Sequence, residues 1–136
     1  FEPAVVAQYG SGKVEALMED AGIVRNRRKI LAAIQNAKVF LSIQEEFGFF
    51  DSYLWGFTGG QVILNTDDTP HTHTELSDRI SKDLKRRGMN FVGTTIIYSF
   101  LQATGVVNDH ELACFCHPGN WSIPQNNNEV PSMEPR

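Results

Sequence analysis

Apolar and polar positions along this chain change their period several times, and each change marks an element. In KVEALMEDAG, residues 13–22, the apolar Val14, Leu17, Met18 and Ala21 recur at helical spacing, which predicts an amphipathic helix closed by Gly22. A broader stripe comes next. Ile30, Leu31, Ile34, Ala37, Val39, Phe40, Leu41 and Ile43 predict a long helix with Asn26 as its cap. Upstream, PAVVAQY puts Pro3 in a first-turn position, where its missing N–H costs nothing. DSYLWGF reads as a short helix capped by Asp51 or Ser52 and carrying Tyr53, Leu54, Trp55 and Phe57.

Residues 58–74, TGGQVILNTDDTPHTHT, contain Gly59, Gly60 and Pro70. Only 61–64 reads as extended, so this stretch is expected to be a long surface connection. ELSDRISKDLKRRG returns to helical spacing with Leu76, Ile80 and Leu84. FVGTTIIYSFLQATG is nearly all apolar, which predicts a central buried helix ending at Gly105. From residue 121 the chain is rich in Pro, Asn and Glu and is expected to be a disordered tail. Residues 1–120 then form one helical domain. No internal repeat is visible, and the fold class is all-α.

At 136 residues, with 41% hydrophobic and 21% charged positions, the chain has the composition of a soluble globular domain. No apolar run reaches membrane-spanning length, so no membrane partner is expected. The opening FEPAVVAQYG has neither the basic nor the apolar region of a signal peptide. A start on Phe rather than Met is expected of a fragment or of a chain whose beginning lies further upstream. Cys114 and Cys116 are too close for an ordinary disulfide framework, which fits a reducing, cytoplasmic setting.

The net charge of −4 argues against nonspecific binding to nucleic acid, but its distribution changes the picture. RNRRK at 25–29 and KDLKRRG at 82–88 hold eight of the twelve basic residues. In LKRRGMNFVGTTIIYSF a basic helix ends at Gly88, a short turn intervenes, and Gly93 with Thr94 opens the next helix. That arrangement suits a DNA phosphate: glycine lets backbone approach, and free N–H groups at a helix start favour an anion. Arg86 and Arg87 add charge, Asn90 lies in the turn, and Thr94 and Thr95 add hydroxyl donors. By itself this segment suits a plain connector between packed helices at least as well. The second basic turn, DAGIVRNRRKIL, repeats the pattern with Arg27 and Lys29 and raises the odds for DNA. Phe91 is expected to support the turn from inside, with an exposed wedge as the alternative.

Taken together, LMEDAGIVRNRRKILAAIQNA, SYLWGF, ISKDLKRRGMNFVGTT and YSFLQATGVVNDHELACFCHPGN resemble the type I DNA-3-methyladenine glycosylases, constitutive bacterial enzymes of the helix-hairpin-helix glycosylase superfamily. The resemblance runs from Phe1 to about Asn120. It implies a helix-hairpin-helix helical bundle in which residues 87–93 grip phosphates of a kinked duplex while a damaged base is flipped out. The implied chemistry is hydrolysis of the N-glycosidic bond of 3-methyladenine in alkylated double-stranded DNA, leaving an abasic site. A monomer is expected. The wider superfamily uses an Asp downstream of the hairpin, which makes Asp109 a candidate. This family dispenses with that residue, and a cap for a helix over HELACF is the stronger expectation for Asp109. The resemblance also implies a segment upstream of Phe1 that carries a Cys, a His and the base-contacting Glu. Weak or no excision is expected of a chain without it. The alternative from another class is a non-catalytic DNA-binding module.

The remaining cluster is NDHELACFCHPGN, residues 108–120. His110 and Cys114 are four apart and would share one face of a helix, so they could converge on one ion. The resemblance makes them two of the four ligands of a structural zinc, with the other two upstream. Cys116 is expected to lie off that face as a small buried residue, and His117 to be exposed before Pro118. His71 and His73 in PHTHT read as solvated side chains.

Overall fold

The computed structural model describes residues 1–64, 66 and 69–120. The tail predicted at 121–136 lies outside them. The described residues are all-α apart from one two-residue strand pairing. In order the elements are α1 (Pro3–Val6), α2 (Ser11–Glu19), α3 (Arg27–Phe47), α4 (Phe50–Gly56), β1 (Ile63–Leu64), α5 (Glu75–Arg86), α6 (Thr94–Ala103), β2 (Val107–Asn108) and a 3₁₀ turn (Pro118–Asn120).

The long helix α3 organises the molecule. Asn26 caps it as expected, its side chain accepting the N–H of Lys29 at 3.2 Å. Gly48 at φ 82 ends it. Its apolar positions serve two cores. Ile34 and Ala37 pack with Val6 of α1 and Val14 of α2. Val39 and Ile43 join Tyr53 and Leu54 of α4, Ile80 and Leu84 of α5, and Ile97, Tyr98 and Leu101 of α6. Ile43, Ile80 and Leu101 are fully buried, each contributing about 1.5–3 kcal/mol of apolar burial. Thr74 and Ser77 form a reciprocal capping box at the start of α5.

The described residues of the 58–74 connection are largely exposed, as expected, and its extended part is pinned. Ile63 pairs with Val107 and Leu64 with Asn108 in parallel. Two boundaries and one pattern of burial differ from expectation. Helix α2 stops at Glu19, because Asp20 leaves helical geometry and its Oδ1 accepts the N–H of Gly22 at 2.8 Å. The cap of α4 is Phe49, while Asp51 sits inside the first turn with Oδ1 on the N–H of Ser52. Helix α6 is not central: Ile97, Tyr98 and Leu101 are buried, but Ile96 is 55% exposed and Phe100 39%. An all-apolar sequence hid a one-sided helix. Its outer face lines an apolar groove of about 210 Å³ with Phe50, Leu54 and Met89.

Candidate functional site

Residues 87–93 join α5 to α6, and their backbone groups can be traced one by one. Gly88 takes φ 98, a left-handed conformation that suits glycine. Its N–H donates to the Lys85 carbonyl at 3.0 Å, and that of Met89 to the Leu84 carbonyl at 2.9 Å. A Cβ on Gly88 would meet Gln35 of α3 at 3.4 Å, so this glycine serves both the turn and the close approach of α3. The backbone then crosses the middle of α3. There Asn36 Oδ1 accepts the N–H of Asn90 at 2.8 Å and Asn36 Nδ2 donates to the Asn90 carbonyl at 2.9 Å. Phe91 is next, at φ 57, a positive value for a residue with a side chain. Val92 turns its side chain into the main core, and its carbonyl accepts the Ser81 hydroxyl at 2.7 Å.

Gly93 is the N-cap of α6 at φ −62, with open space around the position a Cβ would take. The Thr94 hydroxyl lies 2.8 Å from that of Ser77 and so faces inward, while Thr95 is exposed. The backbone N–H groups of Phe91, Val92, Gly93 and Thr94 meet no acceptor among the described residues. Successive open N–H groups at the positive end of a ten-residue helix could accept an anion.

The two arginines of this segment have different surroundings. Arg87 is 17% exposed. Its Nη1 meets Glu46 Oε2 at 2.5 Å, its Nε meets Asp83 Oδ2 at 2.7 Å, and its guanidinium lies 5.3 and 5.2 Å from the rings of Phe47 and Tyr53. Hydrogen bonds to Glu46 and Asp83 push the Arg87 pKa up. Burial pushes the Asp83 carboxyl up, but hydrogen bonds from Arg86, Arg87 and Tyr53 outweigh it and bring the group down to about 2. Burial, with the hydrogen bond to Asp83, raises the Tyr53 hydroxyl. Arg86 shares Asp83 through Nε and Nη2 yet remains 72% exposed.

In the second basic turn Arg27 grips Glu15 through two contacts of 2.6 Å. The Lys29 side chain is exposed, and Arg25, Arg28 and Lys29 enter no ion pair among the described residues. Arg28, in the first turn of α3, borders a cavity of about 470 Å³ that also takes in Leu31, Gln35, Asn90 and Phe91, so the start of α3 and the 87–93 segment border one cavity. Phe91 is 52% exposed. The expectation that it packs inward is corrected: Val92 takes the core position and the left-handed backbone at Phe91 carries its ring outward.

The segment 109–117 is a run of turns, not a helix. The shared-face reason for pairing His110 with Cys114 therefore fails, although the pair itself forms, with Cys114 Sγ 3.6 Å from His110 Nδ1. Cys116, expected to point away, instead brings its sulfur to them, and the three ligand atoms lie within 4.8 Å of one another. The turns achieve what the helix could not, since a helix would send residues 114 and 116 to different faces. Burial and the nearby Cys114 raise the Cys116 thiol pKa. His117 is half-buried, its Nδ1 accepting the N–H of Gly119 at 3.1 Å. One imidazole and two thiols fit three places of a tetrahedral zinc. His73 lies 3.5 Å from Asp78, and His71 is half-buried.

Asp109 caps no helix. Its carboxylate accepts Gln102 Nε2 at 3.0 Å and the Tyr98 hydroxyl, whose pKa is raised by burial and then by this bond. It borders a cavity of about 860 Å³ together with Leu64, Gln102, Val107 and His110.

Asn36, Glu46, Ser77, Ser81 and Asp83 are functional neighbours that the sequence pattern does not single out. The signals it does hold are a polar Asn on an apolar helix, and serines at 77 and 81 on the same face as Ile80 and Leu84.

Similarity to known proteins points the same way. A family profile described as methyladenine glycosylase matches residues 1–117. The chain is 46% identical over 123 residues to DNA-3-methyladenine glycosylase 1 of Escherichia coli, covering 88% of this chain and 66% of that protein. It is 36% identical to the DNA-3-methyladenine glycosylase of Haemophilus influenzae, covering 85% and 64%. It thus spans just under two thirds of the length of these curated relatives. A solution structure of 3-methyladenine DNA glycosylase I, studied for alkylated base recognition, superposes with a TM-score of 0.77 at 46% identity, covering 88% of this chain and 66% of that one. A structure of the Staphylococcus aureus enzyme, described for 3-methyladenine recognition, gives 0.77 at 30% identity, with 93% and 65% covered.

Proposed function

This chain belongs to the methyladenine glycosylase family, and from that premise we propose that it carries the DNA-gripping part of an enzyme that excises 3-methyladenine from alkylated double-stranded DNA. The observation that carries this reading is the row of open N–H groups from Phe91 to Thr94 at the start of α6. Two phosphate oxygens fit such a row, and Gly93 leaves room for them. The segment acts as the hairpin of a helix-hairpin-helix element. Arg86, with Asn90, Thr95 and Lys29, supplies further polar reach toward the duplex, while Arg87 and Arg27 hold the frame behind it. Thr94 completes that frame through Ser77.

Methylation at N3 puts a positive charge on adenine, so the base is already a good leaving group. Its departure breaks the bond between N9 and C1′ of the sugar, and water adds at C1′ to leave an abasic site. The chain's residues hold the strand so that the nucleotide can leave the stack. Asp109, bonded to Gln102 and Tyr98 beside the cavity, is the carboxylate that would serve the cationic stage if the chain follows the wider superfamily, whereas the family itself dispenses with that residue. Zinc is proposed as structural, held by His110 and Cys114 with Cys116 available as a further thiolate. We propose that the protein acts as a monomer in the cytoplasm. No helix among the described residues is long and apolar enough to cross a membrane.

The test is release of free 3-methyladenine from methylated duplex, with duplex affinity measured in parallel. The expected result is clear duplex binding with at most weak release, just above the level of heat-denatured protein. Gly93→Ala should bind duplex about tenfold more weakly through lost backbone contacts with no loss of stability, since φ −62 and open space accept a methyl group. Duplex binding without base release would support the alternative, a non-catalytic DNA-binding module. Absence of binding at low salt would overturn both.

A further inference from the structure

The hairpin is held by a side chain from outside its own two helices. Asn36 stands near the middle of α3, 54 positions from Asn90 in sequence, and its planar carboxamide meets both backbone groups of Asn90, at 2.8 and 2.9 Å. Such a pair of antiparallel hydrogen bonds copies the pairing of two strands and fixes the plane of the backbone at one residue. That plane determines the path of the next residues. Phe91 must take φ 57 for Val92 to enter the core and for its carbonyl to reach Ser81 at 2.7 Å. A positive φ at a residue with a side chain persists only where its neighbours hold it in place. Here the holders are Asn36 before it and Ser81 after it.

We infer that Asn36 is a positioning residue: by occupying both backbone polar groups of Asn90 it sets the direction in which the N–H groups of Phe91, Val92, Gly93 and Thr94 face. This inference rests on the reading of the hairpin as a phosphate site. Asn36 carries no charge and binds no phosphate itself. Its contribution is to keep the backbone of Asn90 out of the anion site and the next four donors in it, leaving the Asn90 side chain free to reach outward. An Asp at this position could still accept from the Asn90 N–H, but its second oxygen would oppose the Asn90 carbonyl. A Leu would keep the volume and lose both bonds.

The test uses the full chain with a fluorescent duplex containing a tetrahydrofuran abasic-site analogue, titrated at several salt concentrations. Asn36→Leu and Asn36→Asp should each bind about tenfold more weakly, the loss expected of one to two hydrogen bonds' worth of ordering. The dependence of log affinity on log salt should stay as in the unaltered chain, because no cation is removed. In the DNA-free protein, amide exchange at Asn90 and Phe91 should quicken in both variants while Ile43 and Leu101 stay protected. A lowered melting temperature with unchanged affinity of the folded protein would reduce Asn36 to a packing residue and overturn the inference. So would affinity within twofold of the unaltered chain. Should the unaltered chain bind no duplex, the phosphate reading falls as well, and the two failures are thereby told apart.

Discussion

At the scale of single residues, Arg87 shows how a charge that reads as a nucleic-acid contact can be committed elsewhere. It lies one residue from the turn in a basic run, which is all that sequence offers. Its partners Glu46 and Asp83 are 41 and 4 positions away, and the two rings beneath it come from α3 and α4. Removing it would leave two carboxylates facing each other, so Arg87→Gln should destabilise the chain by about 2 kcal/mol, read as a lowered urea midpoint. Arg86→Gln, at a 72% exposed position, should change stability by under about 0.5 kcal/mol and lower the salt slope of duplex binding by about one. If the two variants exchanged these effects, the division of labour between the arginines would be wrong. Phe91 differs again. Its backbone at φ 57 costs about 1 kcal/mol, and little packing offsets that at an exposed site, so Phe91→Gly should raise the melting temperature slightly.

At the scale of elements, α5 is the most legible from sequence. Its cap at Thr74 appears only in the structure, but its apolar spacing and its glycine stop are local signals, and the helix obeys them. The same holds for the Asn26 cap of α3. The outer face of α6 is not legible, because an apolar helix gives no sign of which side is covered. The turns at 109–117 pass for a helix in sequence because the four-residue spacing of His110 and Cys114 fits a helix as well as a turn. The last turn of α5 also sets an acid limit. Asp83 is held down to about 2 from an ordinary 3.8, so the folded state binds its proton less readily than the unfolded chain. The stability this contributes is complete above about pH 4 and is lost as pH falls toward 2. Thermal unfolding measured between pH 5 and 2 should show that decline, and Asp83→Asn should make the curve flatter while lowering its upper end.

At the scale of the molecule, α3 divides the apolar interior in two, and its start borders one cavity with the 87–93 segment. That arrangement is only partly legible. Helix spacing gives the elements and their class, whereas the partners that orient the hairpin are long-range contacts, such as Asn36 with Asn90, which no local pattern encodes. The His–Cys–Cys cluster obeys the same rule, since Cys116 joins His110 and Cys114 only because the chain turns between them. Removal of the proposed zinc by a chelator should leave the helical signal of α1–α6 intact and loosen 109–120, seen as new proteolytic cleavage there. Cys116→Ser should lower zinc content as Cys114→Ser does. Equal zinc in the Cys116 variant would return that sulfur to a bystander role.

The parallel pairing of Ile63 with Val107 has a consequence in time. It joins segments 44 positions apart with two residues on each side, so closing it recovers little for the chain entropy lost. Helices α5 and α6, which lie between the two strands and pack on each other through a short turn, can assemble first. The bridge then forms last and opens first. In a refolding experiment, the cavity beside Asp109, whose rim includes Leu64 and Val107, would therefore be the final feature of the molecule to take shape.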